Sequence, residues 1–138
     1  MTTARMVLPP EVAHVWGIAG PMLDTAIAHS DGNLWLVDVL YRILGGQDQL
    51  WIAEDGGKIV ACAVTQILAF PRKKLLSLPF VAGTNLDAWK HHEGMLIEYA
   101  KANGCVGLEG YARQGWARRA TPGWYPVYTV IRKGIGNE

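Results

Sequence analysis

The chain has 138 residues, half of them apolar and 18% charged, which is one domain's worth of sequence and excludes a disordered, collagen-like or acidic-tail protein. A chain of this length buries roughly two thirds of its unfolded surface, so it builds a core without disulfide or metal staples. The net charge is +1, yet residues 1–69 carry −4 and residues 70–138 carry +5, which directs an anionic ligand to the second half.

The first residues show no charged start followed by a long apolar run, and no stretch approaches the length of a membrane span, so neither a secretory signal nor a transmembrane helix is expected. Cys62 and Cys105 sit in apolar contexts and read as buried free thiols of a cytoplasmic protein. Pro9-Pro10-Glu11 opens the first helix, since proline is tolerated there and Glu suits the positive end of the helix dipole. Val12, Val15, Trp16 and Ala19 recur at helical spacing. Gly20-Pro21 breaks or kinks the run, which resumes to about His29. Ser30 to Asn33 is a loop, and Leu36, Val39, Leu40, Ile43 and Leu44 make a second amphipathic helix that stops at Gly45-Gly46.

The period then changes. Leu50 to Glu54 is a strand, and Asp55-Gly56-Gly57-Lys58 is a hairpin turn whose glycines supply positive φ. Ile59 to Phe70 is a strand apolar on both faces, which requires cover on both faces. Arg72-Lys73-Lys74 reads as a solvated hairpin tip leading into a strand from Leu75 to Val81. Pro79 marks an edge or a bulge in that strand, because it cannot donate to the ladder. A helix from about Leu86 to Asn103 ends at Asn103-Gly104. A short strand from Cys105 to Gly110, a short helix from Arg113 to Arg119 and a last β-branched strand from Val127 to Arg132 complete the order. The expected fold class is mixed α/β over one domain, residues 1–138, with a central, mostly antiparallel sheet and helices on both faces.

This order resembles the GNAT superfamily of N-acyltransferases, and more narrowly the short GNAT-like proteins of phages and prophages. Three cues over residues 50–133 carry the likeness. Leu50 to Val64 is similar to the family's second and third strands. Tyr99 to Cys105 is similar to the end of its central helix and the start of its fifth strand. Gly123-Trp124 with Tyr128 and Val130 is similar to its closing turn and final strand. The family's first strand would fall on Met6-Val7-Leu8. The resemblance implies a three-layer sandwich and acetyl-CoA, or another acyl-CoA, as cofactor. Its pantetheine arm would pair with the bulged strand at Pro79, Phe80, Val81 and Ala82, and its pyrophosphate would sit on backbone amides at Gly83, Thr84, Asn85, Asp87 and Trp89, where a helix N-terminus suits an anion.

Against the family's Gln/Arg-x-x-Gly-x-Gly/Ala cradle, the matching positions here are Thr84, Asp87 and Trp89. Asp and Trp side chains obstruct a backbone approach that glycine permits. The position of the family's general-acid tyrosine holds Arg119. Glu109, at the end of the short strand, is the candidate general base that would deprotonate an amine. Two functions therefore stand side by side: an acyl-CoA-dependent N-acyltransferase acting on an amine acceptor, and a GNAT fold without catalysis that serves protein partners, for instance as a phage virion or assembly component. Arg113, Arg118 and Arg119 around Trp116 read as a charged helix face, with no nucleic acid expected. His91 and His92 point about 100° apart on a helix and make no metal site. Of the six tryptophans, Trp16, Trp51 and Trp89 fall on inward positions. Trp35, Trp116 and Trp124 lie near element ends, where amphipathic rings serve interfaces such as a homo-oligomer contact.

Overall fold

The structure, a computed structural model, describes residues 2–84, 88–111 and 122–136. A first strand, β1 (Thr2–Val7), leads through a 3-10 turn at Pro9–Glu11 into α1 (Val12–Ala28) and α2 (Leu36–Leu44). Then follow β2 (Asp48–Asp55), β3 (Lys58–Ala69), β4 (Lys74–Gly83), α3 (Ala88–Ala102) and β5 (Leu108–Gly110). The sheet runs β1-β2-β3-β4-β5, antiparallel except for the parallel pair β4–β5.

β1 is longer than the three residues expected for it and lies on β2 from Thr2 opposite Asp55 to Val7 opposite Leu50. Its central residues Ala4, Arg5 and Met6 carry little strand propensity, so there the register on β2 rather than the composition makes the strand. α1 also departs from expectation: it continues through Gly20-Pro21 without a break. The missing Pro21 amide and the proline ring meet the Gly17 carbonyl, and Gly17 and Pro21 are both on the exposed side, where water can take that carbonyl. The opposite face buries Val12, Val15, Ala19, Leu23 and Ile27, and burying each such aliphatic chain contributes about 1.5–3 kcal/mol, which outweighs a proline penalty of about 3 kcal/mol.

α2 forms as expected. The Asp38 carboxylate accepts the Trp35 amide proton at 2.8 Å, capping the helix start. The hairpin turn holds Gly56 at φ 59° and Gly57 at φ 83°, the paired positive values of a type I′ turn. The middle of β3, Ala61–Thr65, is wholly buried because it is covered from both sides. On one face Leu50, Ile52, Cys62, Val64 and Phe80 pack under α1 and α2; on the other Trp51, Ala53, Ala61, Ala63 and Leu76 pack under α3 with Trp89 and Leu96. On the α3 side the Trp51 indole N–H donates to the Thr65 hydroxyl at 2.8 Å, that hydroxyl donates to Gln49 Oε1 at 2.9 Å, and Tyr99 meets Trp51 edge-on with centroids 5.2 Å apart.

The end of the chain corrects the expected last strand. Residues 127–132 form no strand. Their β-branched side chains stand in solvent, Val127 at 71%, Val130 at 65% and Ile131 at 90% exposure, because no sheet edge of the described residues receives them. The segment is tied down by polar contacts instead. The Trp124 indole N–H donates to Glu93 Oε2 at 3.2 Å, and the Arg132 guanidinium grips both oxygens of Asp31 at 2.7 and 2.5 Å. The Arg132 guanidinium in turn holds the Asp31 carboxyl below its usual range. The helix expected over Arg113–Arg119, with Trp116, lies outside the described residues.

Candidate active site

Across β3 and β4, Gln66 faces Ser77 and Val64 faces Phe80. Leu78 and Pro79 therefore oppose the lone Thr65, which is a β-bulge, and Pro79 sits in it because the extra residue needs no ladder donor. β5 follows β4 for three pairs only, Leu76–Leu108, Ser77–Glu109 and Leu78–Gly110. Past the bulge, no strand among the described residues pairs with the outer edge of β4.

Two hydrogen bonds fix which peptide groups that edge presents. The Leu76 N–H points outward to the Gly107 carbonyl at 2.9 Å, whereas the Thr84 N–H points inward to the Val60 carbonyl at 2.9 Å. Peptide direction alternates along a strand, so Thr84, Ala82 and Phe80 bond to β3 while Val81 and Gly83 turn their N–H and C=O groups outward. An amide-bearing chain laid along this edge meets donors and acceptors at strand spacing.

Gly83 closes the strand at φ 134°. A Cβ there would collide with the Val60 carbonyl oxygen and lie 2.5 Å from Ala61 Cα, so only glycine lets β4 turn off while lying this close to β3. Val81, Ala82, Gly83 and Thr84 line a cavity of about 360 Å³ whose opposite wall is Met22, Thr25, Ala26 and His29 of α1. Those four wall residues were not singled out in the sequence, although their i, i+3, i+4, i+7 spacing marks one helix face.

Glu109 lies beside the bulge. The register carries a polar row across the sheet, Asp48 to Gln66 to Ser77 to Glu109, and paired residues share a face. Leu76, Leu108 and Ile67, one step away, belong to the α3-side core, so the polar row faces the α1/α2 side. Glu109 is half-buried and Ser77 is buried. At the far end of the row, Asp48 is buried with Oδ1 lacking a hydrogen-bond partner, while Arg42 reaches Oδ2 at 3.4 Å. Burial pushes the Asp48 carboxyl up, and Arg42 pulls it back only in part. A carboxyl raised in the folded state holds its proton more tightly folded than unfolded. Its stabilising contribution is therefore full below the ordinary value of 3.8 and is lost as pH rises through the folded value. Asp48→Asn removes that loss, so the variant is expected to be at least as stable as the parent at neutral pH. Urea midpoints across a pH series check this; a variant destabilised mainly at neutral pH contradicts it.

Of the expected cofactor residues, Pro79, Phe80, Val81, Ala82, Gly83 and Thr84 form one continuous strip of β4 and its exit. Asn85 and Asp87 lie outside the described residues. The Trp89 indole is turned into the α3-side core at 8% exposure and does not project into the cleft. Arg72, Lys73 and Lys74 stand at the start of β4, about 30 Å of strand from Gly83 at some 3.3 Å per residue, so the basic triplet is remote from the expected phosphate position.

No family model and no curated protein matches the sequence. The fold does have solved counterparts. An aminoglycoside acetyltransferase from an uncultured soil metagenomic sample, solved with sisomicin, superposes at a TM-score of 0.72 with 10% identity over 97% of this chain and 96% of that one. A ribosomal-protein-alanine N-acetyltransferase from Brucella melitensis biovar Abortus gives 0.65 with 14% identity over 97% and 100%. A GNAT family acetyltransferase from Staphylococcus aureus gives 0.66 with 10% identity over 97% and 98%. The architecture is thus a mixed α/β acetyltransferase fold. In particular, it is the GNAT fold, as the hairpin and the central helix implied.

Proposed function

We propose that this chain is an acyl-CoA-dependent N-acyltransferase that transfers an acetyl or related acyl group to an amine. The observation that carries this reading is the outer edge of β4 past its bulge, which no strand among the described residues pairs with and which Gly83 borders. A pantetheine arm, which carries two amides, suits the outward peptide groups of Val81 and Gly83 as a strand would. Asn85, Asp87 and the backbone at Trp89 are the further residues assigned to the pyrophosphate. Bound acyl-CoA would supply the thioester, whose C–S bond breaks as coenzyme A leaves as a thiolate that takes a proton from water. Glu109, one register step from the bulge, takes the proton that the amine loses as its nitrogen bonds to the acyl carbon. Ser77 and Gln66, on the same face, offer the amine polar neighbours.

The test is thermal melting with and without acetyl-CoA. At 100 times its dissociation constant a ligand adds about 2.7 kcal/mol, which moves the melting temperature by several degrees at this size. The absence of any shift at millimolar acetyl-CoA would remove the enzyme reading and leave the alternative, a non-catalytic GNAT-fold component of a phage particle or other assembly. The buried Trp89 favours the enzyme, since its ring does not fill the groove. Aminoglycosides and the alanine of ribosomal proteins are the first acceptors to try, because two of the structural neighbours carry those names.

A further inference from the structure

Two apolar features of this chain face solvent, and the fold brings them together. The first is α2, whose apolar surface extends beyond its buried stripe and is interrupted by Asp38 and Arg42 on one side. Val39 and Ile43 are buried, with Leu36 and Leu40 packed against them. Flanking that stripe, Val37, Tyr41 and Leu44 recur at i, i+4 and i+7 and are 45%, 69% and 46% exposed, with Trp35 at 75% just before them. An apolar flank of this width is more than the packing under α2 uses. The second feature is the stretch from Tyr125 to Ile131, whose Tyr125 and Tyr128 are 76% and 69% exposed beside Val127, Val130 and Ile131. The Arg132–Asp31 clasp holds this strip against the loop that leads into α2.

We propose that these two features are the halves of a two-fold interface between copies of this chain, the C-terminal strip of one copy covering the outer face of α2 on the other, and the reverse. Size is one argument. Four aromatic side chains, each worth roughly 150–250 Å² when buried, together with the aliphatic ones between them, match the ~800 Å² that each partner buries in a stable complex. Charge is the other. Asp31 and Arg132 pair with each other, Asp38 caps its own helix and Arg42 binds Asp48. Lys133 is the remaining formal charge in these two stretches. A surface whose charges are satisfied within the chain does not repel its own copy and gives a charged partner little to recognise. Two different features, adjacent on one chain and each able to cover the other, close into a dimer rather than a filament when related by a two-fold axis.

The experiment is sedimentation velocity across micromolar concentrations on the full chain and on Tyr41→Glu and Ile131→Lys, both at exposed sites, with circular dichroism to confirm that each folds. The parent is expected to be a dimer. Each variant alone is expected to weaken it at least about 30-fold, as loss of a central contact does. An equimolar mixture of the two variants should recover the dimer, since one of its two contacts is then of parent sequence and the other sets Glu against Lys. A parent that stays monomeric throughout overturns the proposal, whether or not it binds some other protein. A dimer indifferent to both substitutions overturns it too, as does a mixture that fails to recover, because that would mean like surfaces meet like.

Discussion

Glu109→Gln is expected to slow acyl transfer about 10²- to 10⁴-fold while leaving the affinity for acyl-CoA unchanged. The amide keeps the size and polarity of the side chain but cannot take a proton from the amine. The register places Glu109 abreast of Ser77, one step before Leu78 and Pro79 oppose Thr65, so the loss should fall on turnover and not on binding along the β4 edge. Thiol release from acetyl-CoA in the presence of an amine panel measures the rate, and the melting shift with acetyl-CoA measures binding. Glu98→Gln, on an exposed turn of α3, is the control expected to change neither. A Glu109→Gln protein that turns over within a few-fold of the parent would take the base role away from this residue.

Gly83→Ala is expected to destabilise the fold by about 3–5 kcal/mol, the range reserved for strained or overpacked positions. The added methyl meets the Val60 carbonyl and the Ala61 backbone, neither of which can swing aside as a flexible side chain would. The positive φ is an additional cost for any L residue. Gly94→Ala serves as the contrast: nothing lies within 4 Å of a Cβ there, and α3 should gain about 0.5–1 kcal/mol from a better helix former. Urea unfolding midpoints of the two variants measure the difference. A loss under about 1 kcal/mol at Gly83 would mean that β4 can leave the sheet by another path.

Much of this architecture was legible because it depends on local chemistry. Two glycines in a row fix a type I′ hairpin at Gly56-Gly57 whatever surrounds it. A strand apolar on both faces, as at Ala61–Thr65, requires two covering layers. A proline within a strand marks an edge or a bulge, and Pro79 sits in a bulge. What escaped depends on partners distant in sequence. β1 is a strand because β2 offers it an edge. The stretch from Val127 to Arg132 has the composition of a strand but joins no edge among the described residues. Pro21 looks like a helix break until the buried stripe that holds α1 together is weighed against it. At the site, the strip from Pro79 to Thr84 followed from the family likeness. Its opposite wall, with His29 and Thr25, did not, because an amphipathic helix does not announce which of its faces borders a cavity. The separation of the basic triplet from Gly83 likewise needed the direction of β4.

The bulge at Leu78–Pro79 also sets the phase of everything after it. A strand has only two phases, and one inserted residue exchanges them. Ser77 and Phe80 share a face because of that insertion; in an unbroken strand they would point to opposite sides. The same shift sends the peptide groups of Val81 and Gly83 away from β3, where those of Phe80 and Ala82 would otherwise have gone. The polar row ahead of the bulge and the open edge behind it are thus two readouts of one added residue. The same sequence held as an unbulged strand would keep its hydrophobic count and its sheet order, yet it would turn Phe80 toward α3 and offer the cleft a different set of amides.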